Sequence, residues 1–222
     1  LLKKKPKISY VKTFDFLKKS LFDISSVGLD FDNTLTNYDY LFFKLALEKN
    51  LIPQDLEKNK LAVRKYLIDK NIEKQFTLLQ GEVYGRRIEE ACQTEGMFDA
   101  LKNIKKRGIK IFIVSHKSKY PFLGPKYDLH KSALKWMEKN NFFSPEGLGL
   151  TKNDIFFEQT KESKIERIKS LGCSHFIDDL PEILKMIDSK ITKIFYNPFK
   201  LNIDDQTLKN LFSWNDLQQI II

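Results

Sequence analysis

Asp30 and Asp32 stand with a single Phe between them in the stretch VGLDFDNTLT, directly after a short apolar run. Two carboxylates this close repel, and each raises the other's pKa unless a cation sits with them. A second acidic pair, Asp178-Asp179, follows the apolar residues of HFIDDLPE, and a hydroxyl, Ser115, ends the run IFIVS. Asp30, Asp32, Asp178 and Asp179 are therefore candidate metal ligands. A hard, oxygen-only donor set selects Mg2+, which binds such ligands at about 2.1 Å.

These groups can meet only if the elements before them end on one edge. Residues 27–31, 109–114, 155–157, 175–177 and 193–196 read as short apolar strands, and helical segments at 128–139, 162–171 and 181–187 separate the later ones. A further helix begins after Gly96-Met97-Phe98 and ends in a cationic last turn followed by Gly108. The spacing of Tyr10, Phe14, Leu17 and Leu21 predicts an amphipathic helix over 8–22, and the tail reads as helical over 206–212 and 214–220. Alternating strands and helices predict an α/β fold, a Rossmann-like parallel sheet of about five strands covered by helices on both faces. Ligands of such sheets bind beyond the carboxyl ends of the strands, where strand order reverses. Asp30, Asp32, Ser115, Asp178 and Asp179 all fall on that edge.

Between 37 and 96 the apolar period turns helical, with Leu41 and Leu45, then Leu61, Leu67 and Ile68, then Phe76, Leu79 and Val83. This predicts a helical subdomain over 37–96, inserted in a core made of 1–36 and 97–222. Within it QGEVYGRRIEEA carries Gly81 and Gly85, which interrupt a helical pattern and suggest a bend or a close approach.

The chain has 222 residues, 42% of them hydrophobic and 30% charged, which suits a folded core and argues against disorder. No apolar run approaches the ~20 residues that span a bilayer, and 8–22 is too polar for a signal peptide, so a cytoplasmic protein is expected. Cys92 and Cys173 lack metal-ligand spacing and read as free thiols. The net charge of +9 invites a nucleic-acid reading. Lys58, Lys60, Lys65, Lys102, Lys105 and Lys106 instead fall on helix faces where solvation explains them, and no nucleic-acid signature is present. A small anionic partner suits the same charge.

Taken together, the motifs resemble those of the haloacid dehalogenase-like (HAD) phosphohydrolase superfamily. Its first motif, a strand followed by DxDx[TV], stands here as Asp30-Phe31-Asp32-Asn33-Thr34, and its second, a strand ending in Ser or Thr, as IFIVS at Ser115. Its third, a Lys opening the helix before the fourth strand, matches Lys164 in ESKIERIKSLG, with Lys161 as the alternative. Its fourth, paired acids after a strand, matches Asp178 and Asp179, with Glu182 placed as a further acid.

The resemblance implies a Mg2+-dependent phosphatase acting on a small phosphorylated metabolite. In that reading Asp30 is the nucleophile that forms an aspartyl-phosphate, and Asp32 is the general acid and base, which also offers its backbone carbonyl to the metal. Ser115 and Lys164 hold the phosphoryl oxygens, Asp178 ligates the metal, and Asp179 and Glu182 act on it through water or outer hydrogen bonds. The helical insert corresponds to the superfamily's cap, which closes over the site. Arg86 within it is suited to a second anionic group, and His116 and Lys117, directly after Ser115, are further candidate substrate-binding residues. A phosphotransferase or phosphomutase would use the same residues, and a catalytically inactive binding module would keep the fold. A dehalogenase needs neither the metal nor the second Asp, so Asp32 argues against it.

Overall fold

The computed structural model describes residues 25–221. The amphipathic helix expected over 8–22 lies outside them. The strands are β1 (Ser26–Leu29), β2 (Thr36–Asn37), β3 (Cys92–Gln93), β4 (Lys110–His116), β5 (Ile155–Glu158), β6 (His175–Asp178), β7 (Thr192–Tyr196) and β8 (Leu208–Leu211). Six of them form one sheet in the order β5-β4-β1-β6-β7-β8, every neighbouring pair parallel. The chain winds from β1 out through β4 to β5, then returns to the other side of β1 for β6, β7 and β8. Strand order therefore reverses at β1 and β6, and the crevice beyond their carboxyl ends is the binding position of a doubly wound sheet.

The strands form where they do because β1 is buried throughout, with Val27 and Leu29 in the core. Such a strand must be covered on both faces. One face packs in the larger core with Ile111, Ile113 and Ile177, and the other packs Val114, Phe176 and Phe195 against Ile168 and Leu184. The covering helices are α4 (Met97–Lys106), α5 (Leu129–Lys139), α6 (Lys161–Ser170), α7 (Pro181–Met186) and α8 (Leu217–Ile221). No helix among the described residues is long and apolar enough to cross a membrane.

The sheet has one strand more than expected. Residues 208–211, read as helical, form β8 in register with β7, Lys193 opposite Leu208 and Tyr196 opposite Leu211. Leu208 and Leu211 are buried while Lys209 and Asn210 between them are exposed. Two apolar residues three apart in so short a segment fit a helical face equally well, and periodicity alone cannot separate the two.

The antiparallel ribbon of β2 and β3 joins the helical insert to the sheet. The insert holds α1 (Asp39–Glu48), α2 (Lys60–Asp69) and α3 (Glu73–Gly81), and α3 continues into a π-helical turn, Glu82–Arg86, and a 3-10 turn, Ile88–Glu90. α1 buries Leu41, Phe42, Phe43, Leu45 and Ala46, and Phe42 stacks on Phe76 of α3 at 5.1 Å. In α2 it is Val63 and Leu67 that face inward, while Leu61 and Ile68 turn to solvent. Trp136 of α5 fastens the base of the insert, donating from Nε1 to the Ala91 carbonyl at 2.9 Å.

Gly81 and Gly85 mark a close approach. A Cβ on Gly85 would lie 2.7 Å from the Cβ of Tyr127, and one on Gly81 would lie 3.1 Å from the Cβ of Pro121. Both neighbours belong to the loop that follows β4, so the glycines let the insert settle on it. Because a Cβ is fixed to its backbone, neither chain can yield by a rotamer change. Gly85→Ala is therefore expected to cost about 1–3 kcal/mol, the range of overpacking. A thermal melt checks this; a melting temperature equal to the native one would show the contact to be loose.

Candidate active site

Asp30 is placed by the end of β1. Its backbone N–H still donates to the Ile177 carbonyl of β6 at 2.9 Å, so its side chain leaves the sheet at the reversal point. The chain then turns tightly. Asn33 takes a left-handed φ of 59°, and the Leu35 and Thr36 N–H groups both donate to the Phe31 carbonyl. Asn33 thus supplies a residue that tolerates positive φ, and Thr36 closes the turn with a hydroxyl that also donates to the Phe31 carbonyl, at 3.1 Å.

Lys164 completes the first cluster. Thr160 caps α6 by accepting from Ser163 N–H, and this start puts Lys164 in the first turns with its side chain against the sheet. Its ammonium donates to Asp30 Oδ1 at 2.6 Å and to Asp178 Oδ2 at 2.7 Å, and the residue is 1% exposed. Lys161 instead lies at the surface, 3.8 Å from Glu182. Of the two lysines, Lys164 is the one that reaches the carboxylates. The other oxygen of Asp178 accepts from Leu180 N–H at 2.9 Å.

The carboxylates outnumber the cation. Asp30, Asp178 and Asp179 each bring an oxygen within 4.8 Å of the other two. Burial pushes Asp30 above the ordinary carboxylate range against the pull of Lys164. Burial and the Asp30 charge push Asp178 up to about 7, and burial with both neighbouring charges holds Asp179 well above its ordinary value. Burial opposes the charge on Lys164, but Asp30 and Asp178 outweigh it and raise its pKa. A second cation is the physical remedy for such crowding. The donors are hard carboxylate oxygens, so the residues fit a divalent ion of the Mg2+ kind.

The Asp32 side chain is not part of that cluster. Its oxygens accept from the Lys117 ammonium at 2.9 and 2.7 Å, and Oδ1 also accepts from the Tyr38 hydroxyl at 2.6 Å. Its expected service to a metal rests on its backbone carbonyl, which this arrangement leaves to the main chain. Asn33 links the two groups, donating to Asp179 Oδ2 at 3.3 Å.

Strand alternation sorts the residues after β4. Ser115 and Lys117 share one side, and His116 between them is exposed, its Nε2 3.1 Å from the Gln159 carbonyl. The Ser115 hydroxyl helps to hold the Asp30 carboxylate charged, yet it is buried with no hydrogen-bond partner of good geometry, as is the Thr34 hydroxyl. Buried donors without acceptors are costly, and a bound anion would relieve Ser115. Arg86 is exposed and paired with Glu82 at 2.9 Å. The site thus gathers Asp30, Asp32, Ser115, Lys117, Lys164, Asp178 and Asp179, while His116, Arg86 and Glu182 make their contacts elsewhere.

Three further side chains join it from the insert and its root. Tyr38 binds Asp32 as above, and Tyr84, presented by the π-helical turn, packs edge-on against Tyr38 at 4.9 Å. Lys60, expected on a solvated helix face, is half-buried, with its ammonium 3.4 Å from Asn33 Oδ1 and 5.8 Å from the Tyr84 ring centre. One signal for Lys60 was present in the sequence: Asn59 caps α2, which puts a cation in the first turn, where the helix dipole disfavours it. Tyr38 and Tyr84 carry no such mark.

No protein-family model matches the sequence, and no curated protein matches it. Solved structures do match by fold. A predicted phosphoglycolate phosphatase from Haemophilus somnus superposes with a TM-score of 0.54 at 15% identity, over 91% of this chain and 100% of that one. A HAD-superfamily hydrolase of subfamily IA from Geobacter sulfurreducens gives 0.54 at 12% identity, covering 90% and 97%. A dehalogenase gives 0.55 at 12% identity, covering 89% and 97%. With its six-stranded doubly wound sheet, helical insert and aspartate cluster at the strand ends, the chain has the haloacid dehalogenase-like hydrolase fold.

Proposed function

We propose that the protein is a Mg2+-dependent phosphatase that hydrolyses a small phosphomonoester through an aspartyl-phosphate on Asp30. The observation that carries this reading is the junction of Lys164 with Asp30 and Asp178, beside the unbonded hydroxyl of Ser115. Asp30 accepts from the Lys164 ammonium, which opposes the effect of burial on its charge, and it lies at the crevice, as a carboxylate nucleophile must. Ser115 and Lys164 are placed to donate to phosphoryl oxygens as negative charge redistributes over them. Asp30, Asp178 and Asp179 would hold the metal, which supplies charge neutralisation for the phosphoryl group when bound.

Asp32 then serves both steps. As the bond from phosphorus to the leaving oxygen breaks, Asp32 gives that oxygen a proton; it then takes one from the water that attacks the aspartyl-phosphate, releasing inorganic phosphate and free Asp30. Lys117 and Tyr38 fix its carboxylate beside the site while it does so. A dehalogenase has no use for this acid, and its three firm contacts favour phosphoryl chemistry. Transfer to an acceptor hydroxyl, as in a phosphotransferase, would differ only in what replaces water.

Phosphate release from a panel of phosphomonoesters, measured with Mg2+ and again after chelation, tests the reading. Release that depends on the metal is expected. Metal-independent halide release from 2-haloacids, with no phosphate released from any ester, would overturn it.

A further inference from the structure

Lys60 stands out among the cations of the insert. Lys44, Lys49, Arg64, Arg86 and Arg87 each pair with a glutamate, and Lys58, Lys65, Lys70 and Lys74 are exposed. Among the described residues, Lys60 alone of the insert's Lys and Arg side chains is withdrawn from solvent without a carboxylate in ion-pair reach. Its ammonium donates to a neutral amide oxygen, that of Asn33, at 3.4 Å.

Lys60 opens α2, where its charge adds to the positive end of the dipole and its backbone N–H donates to the Asp39 carboxylate at 3.0 Å. Burial disfavours the charge further, and the Tyr84 hydroxyl with the more distant Asp179 and Asp32 keeps the ammonium protonated. A charged, half-buried ammonium with no carboxylate in ion-pair reach is placed to meet an anion during function. The surroundings say where that anion belongs. Lys60 and Lys117 both lie against the Tyr84 ring, at 5.8 and 5.1 Å from its centre. Lys117 is neutralised by Asp32 and Lys60 is not. Ser115, with its buried unbonded hydroxyl, independently marks the phosphoryl position beside Asp30.

We propose that Lys60 is the specificity-determining residue of this site, holding a second anionic group carried by the leaving portion of a small phosphomonoester. The inference rests on the phosphomonoester reading and narrows its substrate class to molecules with two anionic ends, the second a carboxylate or another phosphate. The arginine expected to take this part, Arg86, is neutralised by Glu82 instead.

The test uses short alkyl monophosphates of one length, ending in a carboxylate, a second phosphate or a hydroxyl. The native protein should prefer one or both anionic ends, and the preferred one identifies the group. Lys60→Met should lower kcat/KM for the preferred substrate by about 10- to 100-fold more than for the hydroxyl-ended one, the worth of one charged hydrogen bond, chiefly through KM. Lys60→Arg should restore most of the preference, which a merely structural role would not predict. An equal loss on all substrates, or a native protein indifferent to the terminal charge, overturns the proposal. If the native protein hydrolyses none of the esters, the phosphatase reading has failed. Calorimetric binding of the matching phosphonates then decides Lys60: a preference for the charged end that Lys60→Met removes supports it, and no preference overturns it.

Discussion

Asp30→Asn is expected to lower phosphatase turnover by on the order of 10⁴- to 10⁶-fold, the scale seen when a covalent nucleophile is removed, while the fold keeps or gains stability. An amide of the same shape cannot displace an alkoxide from phosphorus. It also removes one negative charge from a place where burial already disfavours it. What remains is Lys164 facing Asp178, a one-to-one pair at 2.7 Å. The melting temperature of the metal-free variant should therefore equal or exceed that of the native protein, as expected when an active site holds destabilising charge. Turnover near the native rate would remove Asp30 as nucleophile. A variant that melts well below the native protein would show that the Lys164 contact outweighs the cost of burial.

Lys164→Met is the opposite case. Removing the cation leaves Asp30 and Asp178 buried together with no counter-charge from this side. Breaking a buried ion pair by deleting one partner typically costs about 3–5 kcal/mol, which in a chain of this size lowers Tm by on the order of 10 °C. The loss should depend on pH with a definite sign. Asp178 has a folded value of about 7 against an ordinary 3.8, and a carboxyl raised in this way contributes stability that is full below the ordinary value and lost as pH rises through the folded one. Without Lys164 no cation beside them pulls these carboxyls back down, and only the Leu180 N–H and the Ser115 hydroxyl still favour their charged forms. The deficit should be small below pH 7, where Asp178 holds its proton with or without Lys164, and should grow as pH rises through about 7, and millimolar Mg2+ should recover part of it there by binding the native state. Melting curves across this range, with and without the metal, check the expectation. A deficit that ignores pH would show that Lys164 acts by packing its methylenes and not by its charge.

Most of the site was legible because each part of it is local. Asp30, Ser115 and Asp178 directly follow or end apolar strands, and a strand's end can be read from its own residues. Lys164 was legible from the third motif and the apolar residues that follow it, with Lys161 as the alternative until the structure placed that residue at the surface. What was not legible depends on the pairing of distant segments. Tyr38 reaches Asp32 only because the turn at Asn33 doubles the chain back, and Tyr84 enters the site only because α3 widens into a π-helical turn. The reading of Arg86 is different, since Glu82 stands four residues before it and such pairs neutralise each other along a helix. β8 was missed because an edge strand with one neighbour needs little apolar sequence of its own. The charge of +9 gave no direction by itself; once the ion pairs of the insert are drawn, Lys60 is the cation left to act.

The turn that carries Asp32 is also the root of the insert. Thr36 pairs with Asp32 across the turn and is at the same time the first residue of β2, opposite Gln93 of β3, while Tyr38, just before α1, holds the Asp32 carboxylate. The insert therefore cannot tilt on its ribbon without turning the peptide units and the phenol that aim this acid. The angle of the insert and the aim of the Asp32 carboxylate are geared to one turn. Under the phosphatase reading proposed above, water entering with the insert tilted away would meet the covalent phosphoryl group while the base that activates it was out of alignment, so the second displacement would wait for the insert to settle back.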